Sequence, residues 1–220
     1  MFDLSGRVAV VTGGNGGIGL GMAKGLARAG ARIVVAARNE EKSAAAVREL
    51  KSLGSDAFAL AVDVTDEAAV QAMADETARR CGRLDILVNN AGINIRKPAH
   101  EMPLPDWKQV IDTNLTSAFV CARAAYPHML RSGGGKIINI GSMLSIFGAS
   151  FAPAYGASKG GLVQLTKSLA VTWAADNIQV NAVLPGWIDT DLTRGARKQV
   201  EGLHERVLAR TPAGRWGDPA

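Results

Sequence analysis

Short apolar segments alternate with helix-like segments along the whole chain. The apolar segments have the length of strands and cover 7–12, 32–37, 56–63, 85–92, 135–142 and 178–186. Strands that read as continuous apolar runs are buried on both faces, which is typical of a parallel sheet. The segments between them have helical patterns, at 17–29, 40–53, 66–81, 106–131 and 155–175. The alternation therefore predicts a doubly wound α/β fold, in which right-handed crossovers place helices on both faces of one parallel sheet.

The pattern runs through residues 1–220 without a linker, a repeat or a low-complexity segment, so we expect a single domain. No apolar run reaches the ~18 residues of a membrane helix, and the segment MFDLSGR lacks the pattern of a secretory signal. The net charge is +5, but the 25 basic residues are interleaved with 20 acidic ones, which argues against nucleic acid. We expect a cytoplasmic protein with no membrane or nucleic-acid partner.

The cysteines and histidines show no metal-binding spacing. Cys81 and Cys121 each lie in a helical pattern, and we expect two buried or half-buried thiols in a reducing compartment. The histidines, His100, His128 and His204, are scattered and form no ligand cluster. We therefore expect no metal site and place the histidine side chains on helix or loop surfaces.

A glycine-rich turn joins the first strand to the first helix in the segment VAVVTGGNGGIG. Two patterns overlap there: GxGxxG, made by Gly14, Gly16 and Gly19, and TGxxxGxG, which begins at Thr12. Glycines let the backbone approach a ligand closely, and the N–H groups at a helix N-terminus favour an anion. The turn predicts a binding site for the pyrophosphate of a dinucleotide. A flexible turn that only packs a helix against a strand is the alternative.

The end of the second strand indicates which dinucleotide binds. Enzymes that use NAD often carry an acidic residue there, about 20 residues after the glycine turn, to bind the ribose 2′-hydroxyl. This chain has Ala36, Ala37 and Arg38, and no acid comes before Glu40. A guanidinium pairs with a 2′-phosphate in forked geometry, so the sequence favours NADP over NAD. The alternative is that Arg38 lies in solvent or stacks on the adenine.

Tyr155 and Lys159 form a YxxxK pair, and residues four apart on a helix lie on one face. A nearby positive charge favours the phenolate and lowers the pKa of a tyrosine towards that of a useful general base. Ser142 lies at the carboxyl end of a predicted parallel strand, the edge at which open α/β sheets bind ligands. The alternative is a surface tyrosine and lysine at helical spacing.

These motifs resemble those of the short-chain dehydrogenase/reductase family. The resemblance covers positions 5 to 217, in the order and at the spacings of that family. It implies a Rossmann-type fold and an oxidoreductase that interconverts a secondary alcohol and a ketone by hydride transfer with NAD(P). The matches are Thr12-Gly13-x-x-x-Gly17-x-Gly19, Asp63, Asn89-Asn90-Ala91-Gly92, Asn114, Ser142, Tyr155-x-x-x-Lys159, Pro185-Gly186 and Thr190.

The resemblance implies catalytic roles for the matched residues. Tyr155 would exchange a proton with the substrate oxygen, and Ser142 would hydrogen-bond that oxygen. Lys159 would bind the nicotinamide ribose and lower the pKa of Tyr155, while Asn114 would hold a water molecule that links Lys159 to solvent. Asn89 would stabilise the sheet by bonding between strands.

The cofactor contacts are implied in the same way. Asp63 would contact the adenine, Asn90 would lie beside the adenosine ribose, and Ile188 and Thr190 would bind the carboxamide. The complete set of expected cofactor residues is Gly13, Asn15, Gly17, Ile18, Gly19, Arg38, Asp63, Val64, Asn90, Gly92, Tyr155, Lys159, Pro185, Gly186, Ile188 and Thr190.

Within the family, the substrate is indicated by the segments GGKIINIGSMLSIFG, NNAGINIRKPA and RTPAGRWGDPA. They are most similar to gluconate 5-dehydrogenases and 2-deoxy-gluconate 3-dehydrogenases, which implies a small-molecule sugar or sugar acid. Arg96 would clamp a substrate carboxylate bidentately, or else lie in solvent. Reductases of 3-oxoacyl thioesters and some glucose dehydrogenases are also similar. A nucleotide-binding or structural protein without turnover is the alternative of another class.

Residues 189–210 are expected to form a mobile helical lid over the substrate, as in the family. Trp187 and Leu192 would line its inner side, where Trp187 would contact the substrate. Arg194 and Arg197 would add positive charge.

Relatives continue into a further helix, a seventh strand and a glycine-rich tail, which we expect this sequence to lack. The strand near 178–184 would then lie bare at one edge of the sheet. The family also implies a homo-oligomer, mostly a tetramer and at least a dimer, with one dimer face on the helices at 106–131 and 155–175.

Overall fold

Six parallel strands form the sheet in the computed structural model, which describes residues 2–219. The strands are β1 (Val8–Thr12), β2 (Arg32–Ala37), β3 (Ala57–Ala61), β4 (Ile86–Asn89), β5 (Gly135–Ile140) and β6 (Ile178–Val183). Their order across the sheet is β3-β2-β1-β4-β5-β6. The chain changes direction across the sheet at β1, so the predicted doubly wound parallel fold is confirmed.

Helices connect the strands and extend beyond them. They are α1 (Gly17–Arg28), α2 (Glu40–Ser52), α3 (Glu67–Cys81), α4 (Leu104–Ile111), α5 (Ser117–Arg131), α6 (Pro153–Thr172), α7 (Asp191–Gln199) and α8 (Leu203–Arg210). Local chemistry fixes several of their ends. The Asn39 side chain accepts a hydrogen bond from the Lys42 N–H and caps α2, and Asp66 caps α3 in the same way. Gly82, with φ 75°, ends α3 in the left-handed conformation.

The core explains why the strands are apolar throughout. Along β1, Val8 and Val10 pack in one buried cluster, whereas Ala9 and Val11 pack in another. Side chains alternate between the two faces of a strand, so both faces of β1 are covered. A strand with polar residues at every second position would place them inside one of these two clusters. The strands are therefore apolar at successive positions, and the sheet is buried between two helical layers.

The predicted continuous helix at 106–131 is wrong in one respect. A π-helical turn, Asp112–Thr116, separates α4 from α5. Asn114 lies within this turn with 1 % of its surface exposed, and its amide nitrogen donates to the Ile93 carbonyl and the Ser158 hydroxyl. Hydrophobic periodicity does not reveal an extra residue per turn, and such turns are frequent at functional sites.

The strands predicted at 56–63 and 135–142 end two residues early. Those predicted at 85–92 and 178–186 end three residues early, because the residues that follow do not extend the ladder. The segment 85–92 forms a ladder only as far as Asn89, since the Asn90 and Ala91 N–H groups donate to the Thr12 hydroxyl. The strand 178–186 ends at Val183, and Pro185 beyond it has no N–H to donate. Both segments leave the sheet at its carboxyl edge.

The far end of the described chain folds back towards this edge. Ile188 and Gly217 form a parallel bridge, and the Gly217 N–H donates to the Trp187 carbonyl at 2.8 Å. Among residues 2–219, β6 pairs with β5 and lies at the edge of the sheet. Over the same residues, no helix is both long enough and apolar enough to cross a bilayer.

Candidate active site

The carboxyl ends of the strands border one cleft of about 340 Å³, which we call the glycine-turn cleft. Gly13 and Gly17 lie in it with φ of 63° and 50°, in the left-handed region that favours glycine. Most of the expected cofactor residues line it: Gly13, Asn15, Gly17, Ile18, Gly19, Asn90, Gly92, Tyr155, Lys159, Pro185, Gly186, Ile188 and Thr190. The N-terminus of α1 and the backbone of the glycines therefore face the same cleft, where their N–H groups would favour a bound anion.

Close packing explains the last glycine of the motif. A Cβ built on Gly19 would come within 2.4 Å of the Gly13 carbonyl oxygen and of the Asn90 amide nitrogen. The Asn90 amide nitrogen donates to the carbonyls of Thr12 and Gly13 at 3.0 and 3.2 Å. Asn90 therefore holds the glycine turn in place. The sequence-based expectation placed Asn90 beside the adenosine ribose and did not include this structural contact.

A second cavity of about 280 Å³, the Arg38 cavity, adjoins the glycine turn at the end of β2. Arg38, Asp63 and Val64 line it, as expected. The Arg38 guanidinium is 71 % exposed and lies 3.6 Å from the Asp63 carboxylate. Hydrogen bonds from Thr65 lower the pKa of Asp63, with a smaller contribution from Arg38. Lys42, which the sequence argument did not include, also lines this cavity and the glycine-turn cleft.

Ser142 and Tyr155 meet where β5 ends. The Ser142 hydroxyl accepts a hydrogen bond from the Leu144 N–H at 3.1 Å, which fixes the turn after the strand. Burial raises the pKa of Tyr155, whereas the hydrogen bond with Ser142 and the charge of Arg96 lower it. Burial is the largest of these effects, so the pKa of Tyr155 lies above its ordinary value.

Lys159 is 4 % exposed on α6. Its Nζ donates to the Ile140 carbonyl at 2.6 Å and lies 5.7 Å from the centroid of the Tyr155 ring. Burial lowers the pKa of Lys159 to about 8. Ser142 and Arg96 are the groups that lower the pKa of Tyr155 in this structure, so the lowering by Lys159 that the resemblance implies stays a prediction.

Asn114 and Gly92 lie directly beside Lys159. A Cβ on Gly92 would come 3.2 Å from the Asn114 Oδ1 and 3.5 Å from the Lys159 Nζ. The same Oδ1 accepts from the Ile93 N–H at 2.8 Å, so Asn114 holds the chain that follows β4. Its role towards a water molecule stays a prediction.

A third cavity, of about 80 Å³, lies between Ser142, Tyr155 and α7. We call it the lid cavity. It is lined by Asn94, Arg96, Ser142, Met143, Leu144, Phe151, Tyr155, Pro185, Gly186, Trp187, Leu192, Thr193 and Ala196. The expected substrate residues Arg96, Ser142 and Trp187 are therefore brought together here, whereas the sequence argument missed Asn94. Asn94 belongs to no sequence motif, and it stands out only in the structure, where its Oδ1 is buried without a hydrogen-bond partner among residues 2–219.

Arg96 is half-buried, whereas one alternative placed it in solvent. Its Nη1 donates to the Gln199 Oε1 and its Nη2 to the Leu192 carbonyl, both at 2.9 Å. Its Nε is buried with no partner among residues 2–219. Burial lowers the pKa of Arg96, and the nearby Tyr155 raises it. Arg96 thus joins the segment after β4 to both ends of α7.

The helix α7 lines this cavity with Leu192, Thr193 and Ala196, and a mobile lid at 189–210 stays a prediction. The charges of Arg194 and Arg197 are directed elsewhere, however. Both guanidinium groups pair with Asp189, and that of Arg197 lies 4.5 Å from the centroid of the Trp216 ring. Arg194 also pairs with Asp191, so both guanidinium groups are engaged by carboxylates of the same segment.

The remaining expectations concern polar residues within the fold. The Asn89 amide nitrogen donates to the Asn139 Oδ1 at 2.9 Å and so joins β4 to β5, as expected. Cys121 is buried and Cys81 half-buried, both as free thiols. The surface position expected for His128 is wrong, because its buried ring contacts Asp75 at 2.8 Å and Arg131 at 2.7 Å. Within residues 2–219, no cluster of His, Cys, Asp and Glu could hold a metal.

Comparison with known proteins places this geometry in a family. A family model described as short chain dehydrogenase matches residues 7–201. A 2-dehydro-3-deoxy-D-gluconate 5-dehydrogenase of Formosa agariphila is 41 % identical over 220 residues, which is 100 % of this chain and 83 % of that protein. A cis-4-hydroxycyclohexanecarboxylate dehydrogenase of Sinomonas cyclohexanicum is 42 % identical over 97 % of this chain and 84 % of that protein.

A solved structure from Beutenbergia cavernae is similar throughout. It is provisionally described as an NAD(P) dependent gluconate 5-dehydrogenase with bound NADP at low occupancy, and is 42 % identical with a TM-score of 0.92. The match covers 99 % of this chain and 86 % of that one. Sequence motifs, sheet order and relatives agree: the chain is an oxidoreductase that belongs to the short chain dehydrogenase family.

Proposed function

We propose that this chain interconverts a secondary alcohol of a sugar acid and the corresponding ketone, with NADP as the preferred cofactor. One observation carries the proposal: Ser142 and Tyr155 line both the glycine-turn cleft and the lid cavity. A dinucleotide in the first and a small acid in the second would meet at these two hydroxyls. Rates with D-gluconate and with a 3-hydroxyacyl thioester test the assignment.

Tyr155 would act as the acid or base. When bound, the nicotinamide would supply or accept the hydride. The Tyr155 hydroxyl would pass a proton to or from the substrate oxygen, and Ser142 would stabilise charge that develops on it. Burial raises the pKa of Tyr155, which favours the protonated form and hence proton donation to a ketone. A charged Lys159 nearby would favour the phenolate when the reaction runs as an oxidation.

Arg96 would bind the substrate carboxylate. A buried guanidinium nitrogen without a partner is costly, and a carboxylate would supply the missing acceptor. The names of the Formosa and Sinomonas relatives each describe a substrate with a carboxylate and a hydroxyl group. A sugar acid meets the same description, and its size would require the 80 Å³ lid cavity to widen as it enters.

The family uses NAD(P), and we propose that NADP is preferred here. Arg38 and Lys42 line the Arg38 cavity, and the ends of both side chains lie in solvent. Within residues 2–219, these two cations form loose ion pairs with the carboxylates of Asp63 and Asp191, at 3.6 and 3.4 Å. A 2′-phosphate would attract both cations, and the NADP in the Beutenbergia structure supports this choice.

Replacing Arg38 by alanine is expected to remove this preference. Arg38→Ala should weaken NADPH binding by about tenfold or more, because a charge-assisted contact with phosphate is lost, and leave NADH binding nearly unchanged. Fluorescence titration with both nucleotides measures the ratio. Arg48→Ala, which removes an equal charge from the exposed side of α2, is the matched control. A ratio unchanged by Arg38→Ala, or a wild type that prefers NADH, would reject the 2′-phosphate contact.

We further propose a cytoplasmic homo-oligomer. Free thiols at Cys81 and Cys121 suit a reducing compartment. Large apolar side chains are exposed on the outer faces of the helices expected to form the dimer: Trp107 on α4, Phe119 and Leu130 on α5 and Val171 on α6. A second copy of the chain would cover them.

A further inference from the structure

The lid cavity is lined by two residues whose buried polar atoms lack partners. Among residues 2–219, the Asn94 Oδ1 and the Arg96 Nε are both buried without a hydrogen bond. Three further atoms of this kind, on Thr77, Asn89 and Gln179, belong to residues outside the cavity lining. Leaving a buried polar group unpaired costs free energy, so such a group at a cavity calls for a ligand or an ordered water.

The segment that carries Asn94 is held firmly. The preceding residue, Ile93, is bound to Asn114 through both its N–H and its carbonyl, at 2.8 and 2.9 Å. Arg96 is held from the other side by its two bonds to α7. The backbone is held on the same side by the Lys97 N–H, which donates to the Phe151 carbonyl at 3.1 Å. The segment around Asn94 is therefore anchored before and after it, and a loose loop does not explain the unpaired oxygen.

Two other asparagines near this edge of the sheet, Asn90 and Asn114, have structural roles in which their side-chain amides are hydrogen-bonded to the backbone. The Asn90 amide is bonded to two carbonyls of the glycine turn. Asn114 uses both its oxygen and its nitrogen. Asn94 lines the cavity that also contains the reacting hydroxyls of Ser142 and Tyr155. What distinguishes it is an unused polar atom beside the catalytic residues.

We propose that Asn94 binds a hydroxyl group of the substrate and makes the site selective for polyhydroxylated acids. The inference rests on the proposed function and names the feature of the substrate that this residue reads. A hydroxyl both donates and accepts, so it can pair with either end of a side-chain amide. Asn94 and Arg96 are two residues apart in a non-helical segment and line the same cavity. One substrate could therefore place a carboxylate at Arg96 and a hydroxyl at Asn94.

The test compares two alcohols that both carry a carboxylate. D-gluconate has further hydroxyl groups, whereas cis-4-hydroxycyclohexanecarboxylate has only the one that reacts. Asn94→Leu keeps the side-chain size and removes the amide. We expect kcat/KM for D-gluconate to fall about tenfold, the usual scale of one lost hydrogen bond, while kcat/KM for the cyclohexane acid changes less than threefold. Because an unpaired buried oxygen is removed, Tm should stay equal or rise.

Two controls separate the possible outcomes. Asn181→Ala, at an exposed position of β6, should change neither the two rates nor NADPH binding. An equal fall of both rates in Asn94→Leu, or no fall with D-gluconate, overturns the role of Asn94 and leaves the proposed function standing. A wild-type protein that binds NADPH and turns over neither acid overturns the proposed function, and this inference with it.

Discussion

Tyr155→Phe is expected to lower kcat by roughly 10²- to 10⁴-fold, the usual contribution of a positioned acid or base. The substitution removes one hydroxyl from the pair formed with Ser142 and keeps the aromatic ring. Proton transfer to the substrate oxygen is then lost, whereas the walls of the glycine-turn cleft are unchanged. NADPH titration should therefore give nearly the wild-type affinity, and steady-state rates should show the loss.

The chain has one other tyrosine and so offers a matched control. The Tyr126 hydroxyl donates to the Asp176 carboxylate at 3.0 Å. Neither residue lines the glycine-turn cleft or the lid cavity. Tyr126→Phe should leave kcat within about twofold and lower stability only slightly, because one hydrogen bond is lost. If Tyr155→Phe retained wild-type turnover, the assignment of the acid and base would be wrong.

Lys159→Met should abolish most activity and at the same time stabilise the fold near neutral pH. The Lys159 ammonium is buried, and its recorded hydrogen bond is to the Ile140 carbonyl. Burial makes the charged form unfavourable, and for this reason the pKa of Lys159 falls to about 8 from 10.5. A methionine of similar length removes this cost, and it also removes the charge that would favour the Tyr155 phenolate.

The sign of the pH dependence follows from the same shift. Between pH 8 and 10.5 the unfolded chain keeps the Lys159 proton and the folded chain releases it. The wild-type free energy of unfolding should therefore gain about 1 to 3 kcal/mol from this group as pH rises through that window. Urea unfolding at several pH values should show this gain in the wild type and in Lys167→Met, at an exposed position of α6, but not in Lys159→Met. A gain of equal size in all three proteins would show that Lys159 is not its source.

The sequence predicts the sheet well because burial on both faces leaves a clear signature. Val8 to Val11 alternate between two apolar clusters, so β1 must be apolar at every position. The glycine turn was predictable for a related reason, since Gly13 and Gly17 have left-handed backbones and Gly19 has no room for a side chain. In each case the structure restricts the residue type at a single position, to an apolar residue in β1 or to glycine in the turn, so the sequence alone shows it.

The parts that the sequence did not predict depend on tertiary contacts. The π-helical turn at Asp112–Thr116 adds one residue to a helical pattern, and the bonds of Asn114 hold it in place. Arg194 and Arg197 were expected to add positive charge at the lid, yet both pair with Asp189. Asn94 belongs to no motif and is distinguished by two features together: it lines the lid cavity, and its buried oxygen has no partner among residues 2–219.

The most direct test of the account is a comparison of kcat/KM for D-gluconate and for a 3-hydroxyacyl thioester, each with NADP⁺ and the wild-type protein. The account predicts clear preference for D-gluconate, because the small lid cavity offers an unpaired Arg96 nitrogen to a carboxylate. Preference for the thioester would contradict the sugar-acid assignment, although the protein would remain an oxidoreductase of its family.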